Sequence, residues 1–149
     1  MEIRLLENKD IEFLNKVRNE SVDFLHNKTK FNLEQTKEWF KTLKDPYFIV
    51  SNNGIDIGYV RTSKWSSNNK RCYIGMDIAE EHRGKGYAIP SYIKLMLKLA
   101  TEYGVIRFRL EVLESNKRAK HIYDKIGFKE TDRVNYTDKE KSIIMDYNI

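Results

Sequence analysis

Three observations predict an α/β (α+β) domain. Apolar residues alternate in short runs, as at Cys72, Ile74, Met76 and Ile78 and again at Phe108, Leu110 and Val112, the period of a strand with one buried face. Between such runs lie stretches with apolar residues three and four apart, the clearest from Ala88 to Tyr103, the period of a helix lying on a sheet. An Asn53-Gly54 step between two strand-like runs marks a hairpin turn. At 149 residues the chain fits one domain, 1–149, with a single sizeable core.

In chain order, Glu2 to Leu6 is a first strand, followed by a helix capped by Asp10 with Ile11, Leu14, Val17 and Arg18 along one side. Ser21 to Phe31 keeps no period and reads as a loop or broken helix, in which His26 is either a ligand contact or a solvated surface residue. Leu33, Thr36, Trp39, Phe40 and Leu43 give a second helix to Lys44, with Asn32 as cap and Pro46 past its end. Trp39 reads as core rather than as a stacking platform.

Tyr47 to Val50 and Ile55 to Trp65 are the hairpin strands, and Cys72 to Ala79 follows after the turn at Ser66 to Asn69. In the next helix Ile89, Tyr92, Ile93, Met96, Leu97, Leu99 and Ala100 form a broad apolar face. Pro90 is tolerated only in a first turn, so this helix starts just before it. Gly104 ends the helix, and Val105 to Leu113 is a strong strand with Ile106, Phe108, Leu110 and Val112 on one face. Asn116 opens a short helix carrying Ala119, Ile122, Tyr123 and Ile126, and Gly127 closes it. Phe128 to Asn135 and Lys141 to Ile149 form a closing strand pair.

Between the strand ending at Ala79 and the helix beginning near Ala88 stands Glu80-Glu81-His82-Arg83-Gly84-Lys85-Gly86-Tyr87-Ala88. Its glycines let the backbone turn tightly and bring N–H groups close to a ligand, and the helix behind them offers unpaired donors and a positive dipole end. This is an anion cradle suited to a phosphate or pyrophosphate.

Composition bounds the rest. No apolar run reaches the roughly 18 residues that span a bilayer, and the start lacks the pattern of a secretory signal, so a soluble, cytoplasmic protein is expected. Cys72 is the single cysteine, and His26, His82 and His121 lack metal-ligand spacing, so no metal is assigned. A net charge of +5 is too diffuse for nucleic acid and suits a polyanionic small ligand.

Arg83-Gly84-Lys85-Gly86-Tyr87-Ala88 resembles the Arg/Gln-x-x-Gly-x-Gly/Ala signature of the GNAT superfamily of acyl-CoA N-acetyltransferases. Asn116, Ala119, Tyr123 and Gly127-Phe128, about thirty residues on, resemble that family's second segment. The resemblance covers nearly the whole chain. It implies a mixed, mostly antiparallel seven-stranded sheet, splayed between its fourth and fifth strands and flanked by about four helices, with acetyl-CoA as co-substrate.

On that template the backbone of Arg83, Gly84, Lys85, Gly86, Tyr87 and Ala88 grips the pyrophosphate of CoA. The peptide groups of Ile78 and Ala79 pair with the pantetheine arm like an added strand, and Asn116 touches cofactor or ordered water while capping its helix. Tyr123 is the family's acid, protonating the departing thiolate; its rival role is that of a core tyrosine. Many relatives carry Glu where this chain has Tyr73, which removes the usual base. Asp77 on the same face substitutes for it, or water carries the proton, or Asp77 is merely structural.

Val17-Arg18-Asn19-Glu20 and Glu38-Trp39-Phe40 resemble the branch that holds ribosomal-protein N-terminal acetyltransferases and acetyltransferases of nucleotide-linked amino sugars. Arg18, Arg61 and His26 add positive charge near the acceptor mouth. That favours a nucleotide-sugar and disfavours polycations such as spermidine, with a protein N-terminus as the rival acceptor. A non-catalytic acyl-CoA-binding module is the alternative of a different class. A monomer or homodimer acting on a small-molecule amine, without nucleic acid or membrane, is expected.

Overall fold

The computed structural model describes Met1–Ile149. Its strands are β1 (Glu2–Leu5), β2 (Tyr47–Asn52), β3 (Ile55–Ser66), β4 (Arg71–Ile78), β5 (Arg107–Leu113), β6 (Lys129–Asn135) and β7 (Lys141–Asn148). They form one seven-stranded sheet in the order β1-β2-β3-β4-β5-β7-β6. Its helices are α1 (Ile11–Glu20), α2 (Leu33–Thr42), α3 (Ala88–Tyr103) and α4 (Lys117–Ile126). The closing strands form a hairpin in which the later one, β7, lies inside against β5 and leaves β6 at the edge.

Every neighbouring pair is antiparallel except β4 and β5, which run parallel and pair only at Arg71–Arg107, Cys72–Phe108 and Tyr73–Arg109. Beyond Tyr73 the two strands part, while β4 stays paired to β3 as far as Ile78. The Ala79 N–H donates to Ile57 C=O on the β3 side at 2.8 Å. Alternation along the strand therefore turns the N–H and C=O groups of Met76 and Ile78 toward the gap.

Period-two burial divides the core between the sheet's two faces. Phe48, Val50, Val60, Ile74, Phe108 and Leu110 pack against α3 through Tyr92, Leu95, Met96 and Leu99. Ile49 and Tyr59 face the other way, against Leu14 and Val17 of α1, with Trp39 and Phe40 of α2 at the margin. Leu95 and Leu99 are fully buried, and each such side chain contributes about 1.5–3 kcal/mol. The apolar stripe of α3 is narrower than its sequence suggests, because Ile93 and Leu97 point to solvent.

Two local expectations are corrected. Asp10 does not cap α1: its carboxylate accepts the Glu7 N–H at 2.9 Å and two hydrogen bonds from Arg4 at 2.8 Å, so it closes the short turn before the helix. Strand β5 begins at Arg107, and Ile106, 38% exposed, lies outside it. Asn32 caps α2 as expected, exchanging hydrogen bonds with Gln35 at 2.8 and 2.9 Å.

Candidate functional site

Where β4 and β5 part, a cleft of about 410 Å³ passes through the sheet. From the α3/α4 side it is lined by Tyr87, Tyr92, Asn116, Ala119 and Tyr123, and from the α1/α2 side by Leu25, His26, Arg61 and Asp77. A second cavity of about 500 Å³ adjoins it on the α1/α2 side, and Leu25, His26 and Arg61 line both.

The cradle opens on the first of these. Gly84 and Gly86 adopt φ of 74° and 81°, and a side chain at Gly86 would meet nothing within 4 Å, so the loop is built for that backbone and leaves its surface clear. Helix α3 starts at Ala88 with Tyr87 as its cap, which leaves the N–H groups of Tyr87, Ala88 and Ile89 without intrahelical partners at the mouth of the cleft. Pro90 has no N–H to lose. Loop and helix end together present donors and positive potential to an anion, which fits the diphosphate end of acetyl-CoA. Lys85 is exposed and lies on the rim.

Arg83 is not a free phosphate ligand. Its Nε donates to Ile78 C=O at 2.9 Å, its Nη2 to Ser21 Oγ at 3.0 Å and to Glu20 C=O at 3.2 Å, and Phe24 lies under the guanidinium at 5.5 Å. It straps the cradle to the end of α1. The Ile78 C=O is thus occupied from within, as is the Ala79 N–H by Ile57. The backbone groups left open to the gap are the Ile78 N–H and both groups of Met76, one residue pair earlier than the sequence suggested.

Asn116 caps α4, accepting the Ala119 N–H at 3.2 Å, and this aims the helix so that Tyr123 enters the cleft. The Tyr123 hydroxyl lies 3.1 Å from that of Tyr92 on α3, with the rings edge to face at 5.4 Å. Burial raises the Tyr123 pKa, and the hydrogen bond from Tyr92 partly opposes that, so the phenol keeps its proton at neutral pH. Tyr92, 2% exposed, was missed as a site residue because its spacing on α3 marks it only as core.

Asp77 is buried at 6% exposure, and its Oδ2 accepts from the Tyr59 hydroxyl and from Arg61 Nη1, the latter at 2.6 Å. Both hydrogen bonds fall on one oxygen and tie Asp77 to Arg61 and Tyr59, which fits the structural alternative to the base role expected of it. Burial works against the charge on Arg61, but Asp77 outweighs it, and the guanidinium pKa is raised. The site of Gly75 explains the pose: a Cβ there would stand 2.7 Å from Arg61 Nη2 and 2.8 Å from Cζ, so only glycine lets the guanidinium lie flat on β4.

His26 stands inside the site rather than on the surface. Its Nε2 lies 2.7 Å from Ser142 Oγ and 3.8 Å from Glu111 Oε2, and Tyr136 packs edge-on at 5.3 Å. Burial lowers its pKa from the ordinary 6.5, with Glu111 pulling the other way, so the imidazole is neutral at pH 7. Trp39, expected in the core, lines the second cavity. No group of three or more His, Cys, Asp or Glu residues gathers as metal ligands, and no helix is long and apolar enough to cross a membrane.

Comparison with known proteins identifies the family and the fold. The model of the acetyltransferase (GNAT) domain family matches residues 1–129. The chain is 26% identical over 144 residues to the spermidine N(1)-acetyltransferase of Escherichia coli K12, covering 86% of this chain and 72% of that one. Among solved structures, the ribosomal-protein-alanine N-acetyltransferase of Brucella melitensis superposes with a TM-score of 0.82 at 17% identity over 100% of both chains. A spermidine N-acetyltransferase from Vibrio cholerae gives 0.87 at 19% identity, over 99% of this chain and 95% of that one. A Salmonella typhimurium acetyltransferase solved with acetyl-CoA gives 0.80 at 18% identity, over 99% and 93%. At these identities the solved structures speak for the fold.

Proposed function

Because the chain belongs to the GNAT acetyltransferases and is an acetyl-CoA-dependent N-acetyltransferase, we propose that it acetylates a primary amine of a small molecule, a nucleotide-linked amino sugar being the first candidate. One observation carries the reading: the cradle and the start of α3 open on the same cleft into which Tyr123 projects.

Acetyl-CoA supplies the activated acetyl thioester, and the chain's residues do the rest. Backbone donors from Gly84 to Ile89 hold the diphosphate. The open N–H groups of Met76 and Ile78 and the open C=O of Met76 give the extended arm a strand partner. Tyr123, protonated and steadied by Tyr92, donates its proton to the departing sulfur. His26, neutral and lining both cavities, accepts the proton of the amine, and the nearby Glu111 stabilises the imidazolium that results. Asp77 fixes Arg61.

Spermidine is the second reading, favoured by the E. coli relative. Against it, the only charged residues lining the second cavity are Arg18 and Arg61. Release of thiol from acetyl-CoA with UDP-linked amino sugars, spermidine and an alanine-terminal peptide ranks these acceptors. In parallel, Gly86→Val should weaken acetyl-CoA binding in calorimetry by tenfold or more, since a branched side chain at positive φ both strains the loop and fills the phosphate approach. Unchanged affinity in that variant would sink the cradle assignment.

A further inference from the structure

We propose that Arg61 and the aromatic cavity beside it form a subsite for an acceptor amine that carries an anionic group, carboxylate or phosphate, on an aromatic body. The proposal rests on the acetyl-transfer reading and adds the class of acceptor.

Arg61 makes one hydrogen bond to the protein, from Nη1 to Asp77, out of the five N–H donors of a guanidinium. Yet 35% of its side-chain surface is open, and what it opens on is the two cavities, both of which it lines. Gly75 beneath and Asp77 at one edge lock the plane of the group, so its unused edge is a preorganised fork for a planar or tetrahedral oxyanion. Holding such a fork rigid with its charge intact reduces the ordering that binding would otherwise cost.

The cavity beyond Arg61 supplies the second half of the recognition. Phe31, Trp39, Tyr47 and Tyr59 line it; Trp39 and Tyr47 meet edge to face at 5.1 Å, and Tyr47 lies nearly parallel to Tyr59 at 6.1 Å. These surfaces take a flat apolar body. The other cation lining the cavity, Arg18, pairs with no carboxylate; it is held by the Thr29 and Asn27 carbonyls at 2.6 and 3.2 Å over the Phe31 ring. With no Asp or Glu in the lining, a polycation would lose its hydration there and find no counter-charge. An anion placed at Arg61 would leave its amine free to reach His26 and the cleft, because Arg61 and His26 line the junction of the two cavities.

The test is equilibrium binding to the full chain, with and without acetyl-CoA, followed by calorimetry and by quenching of Trp39 fluorescence. Phenylacetate, phenyl phosphate and spermidine are the probes. Saturable binding of either anion is expected, and which binds more tightly distinguishes a carboxylate from a phosphate. Arg61→Gln and Arg61→Lys should each weaken that binding roughly 10- to 100-fold, the loss of a charge-assisted fork.

Since Arg61→Gln strands a buried Asp77, the double variant Arg61→Gln with Asp77→Asn removes both charges, and Trp39→Leu tests the aromatic wall without touching the pair. Binding of neither anion, full affinity in folded Arg61 variants, or tighter binding of spermidine than of either anion would each overturn the subsite. Absence of acetyl-CoA binding to the wild-type chain would instead overturn the reading beneath it.

Discussion

At the scale of single residues, the proposed chemistry turns on two phenols that hold each other. Tyr92 is rigid in the core and keeps the Tyr123 hydroxyl pointed into the cleft, while burial holds the Tyr123 proton in place until charge develops nearby. Tyr123→Phe keeps the ring and its contacts with Tyr92 and Phe128 and deletes the proton. Turnover should fall by roughly 10² to 10⁴ with acetyl-CoA affinity unchanged, measured by thiol release and calorimetry on one preparation. A purely structural tyrosine would show the opposite: activity kept, and about 1 kcal/mol of stability lost with the hydrogen bond.

Among elements, the cradle depends on a strap it does not advertise. Arg83 joins the loop to the end of α1 and to the last residue of β4, and it is held by three hydrogen bonds and an aromatic ring. Arg83→Ala should therefore lower the melting temperature by several degrees as well as weaken acetyl-CoA binding, whereas a rim cation serving only phosphate would lower affinity alone. Thermal denaturation with and without acetyl-CoA separates the two. The sequence marked Arg83 as basic and next to glycine but carried no sign that its partners were Glu20 and Ser21, more than sixty residues earlier.

The same limit explains what else was legible. Strand and helix periods, the Asn32 and Asn116 caps and the glycine turn are local, and they were readable in place. Asp10 looked like a cap until the tertiary pairing with Arg4 claimed it. Asp77 reads from the sequence as either a base or a structural carboxylate, and its hydrogen bonds to Arg61 and Tyr59, sixteen and eighteen residues away on the neighbouring strand, have no local sign there. His26 and Trp39 join the site only because an aperiodic segment folds over the second cavity, and no periodicity announces that.

For the whole molecule, that segment is pinned across the fold. Tyr136 donates to His26 C=O at 2.5 Å, and the His26 ring meets Ser142, so the wall shared by both cavities is tied to the β6–β7 hairpin. Because the folded pKa of His26 lies below its ordinary 6.5, the unfolded chain takes up the proton first as pH falls. The His26 contribution is fully present above pH 6.5 and is lost progressively as pH drops toward the folded value. Wild-type stability should decline over that window, and in His26→Asn the decline should be smaller, as read from urea midpoints between pH 7.5 and 5. Identical profiles would mean that His26 carries no pH-dependent load.

The parting of β4 and β5 also bears on solubility. A sheet's outer edges invite stray strands, and here the exposed edge strand β6 is guarded by Lys129, Glu130, Asp132 and Arg133 and by an irregular register between Glu130 and Asp132. The inner edge at Met76 and Ile78 keeps a regular register with β3, which suits the extended arm proposed to pair there. On that proposal the open inner edge lies in the middle of the sheet, and a bound cofactor would double as the plug that keeps foreign peptide out.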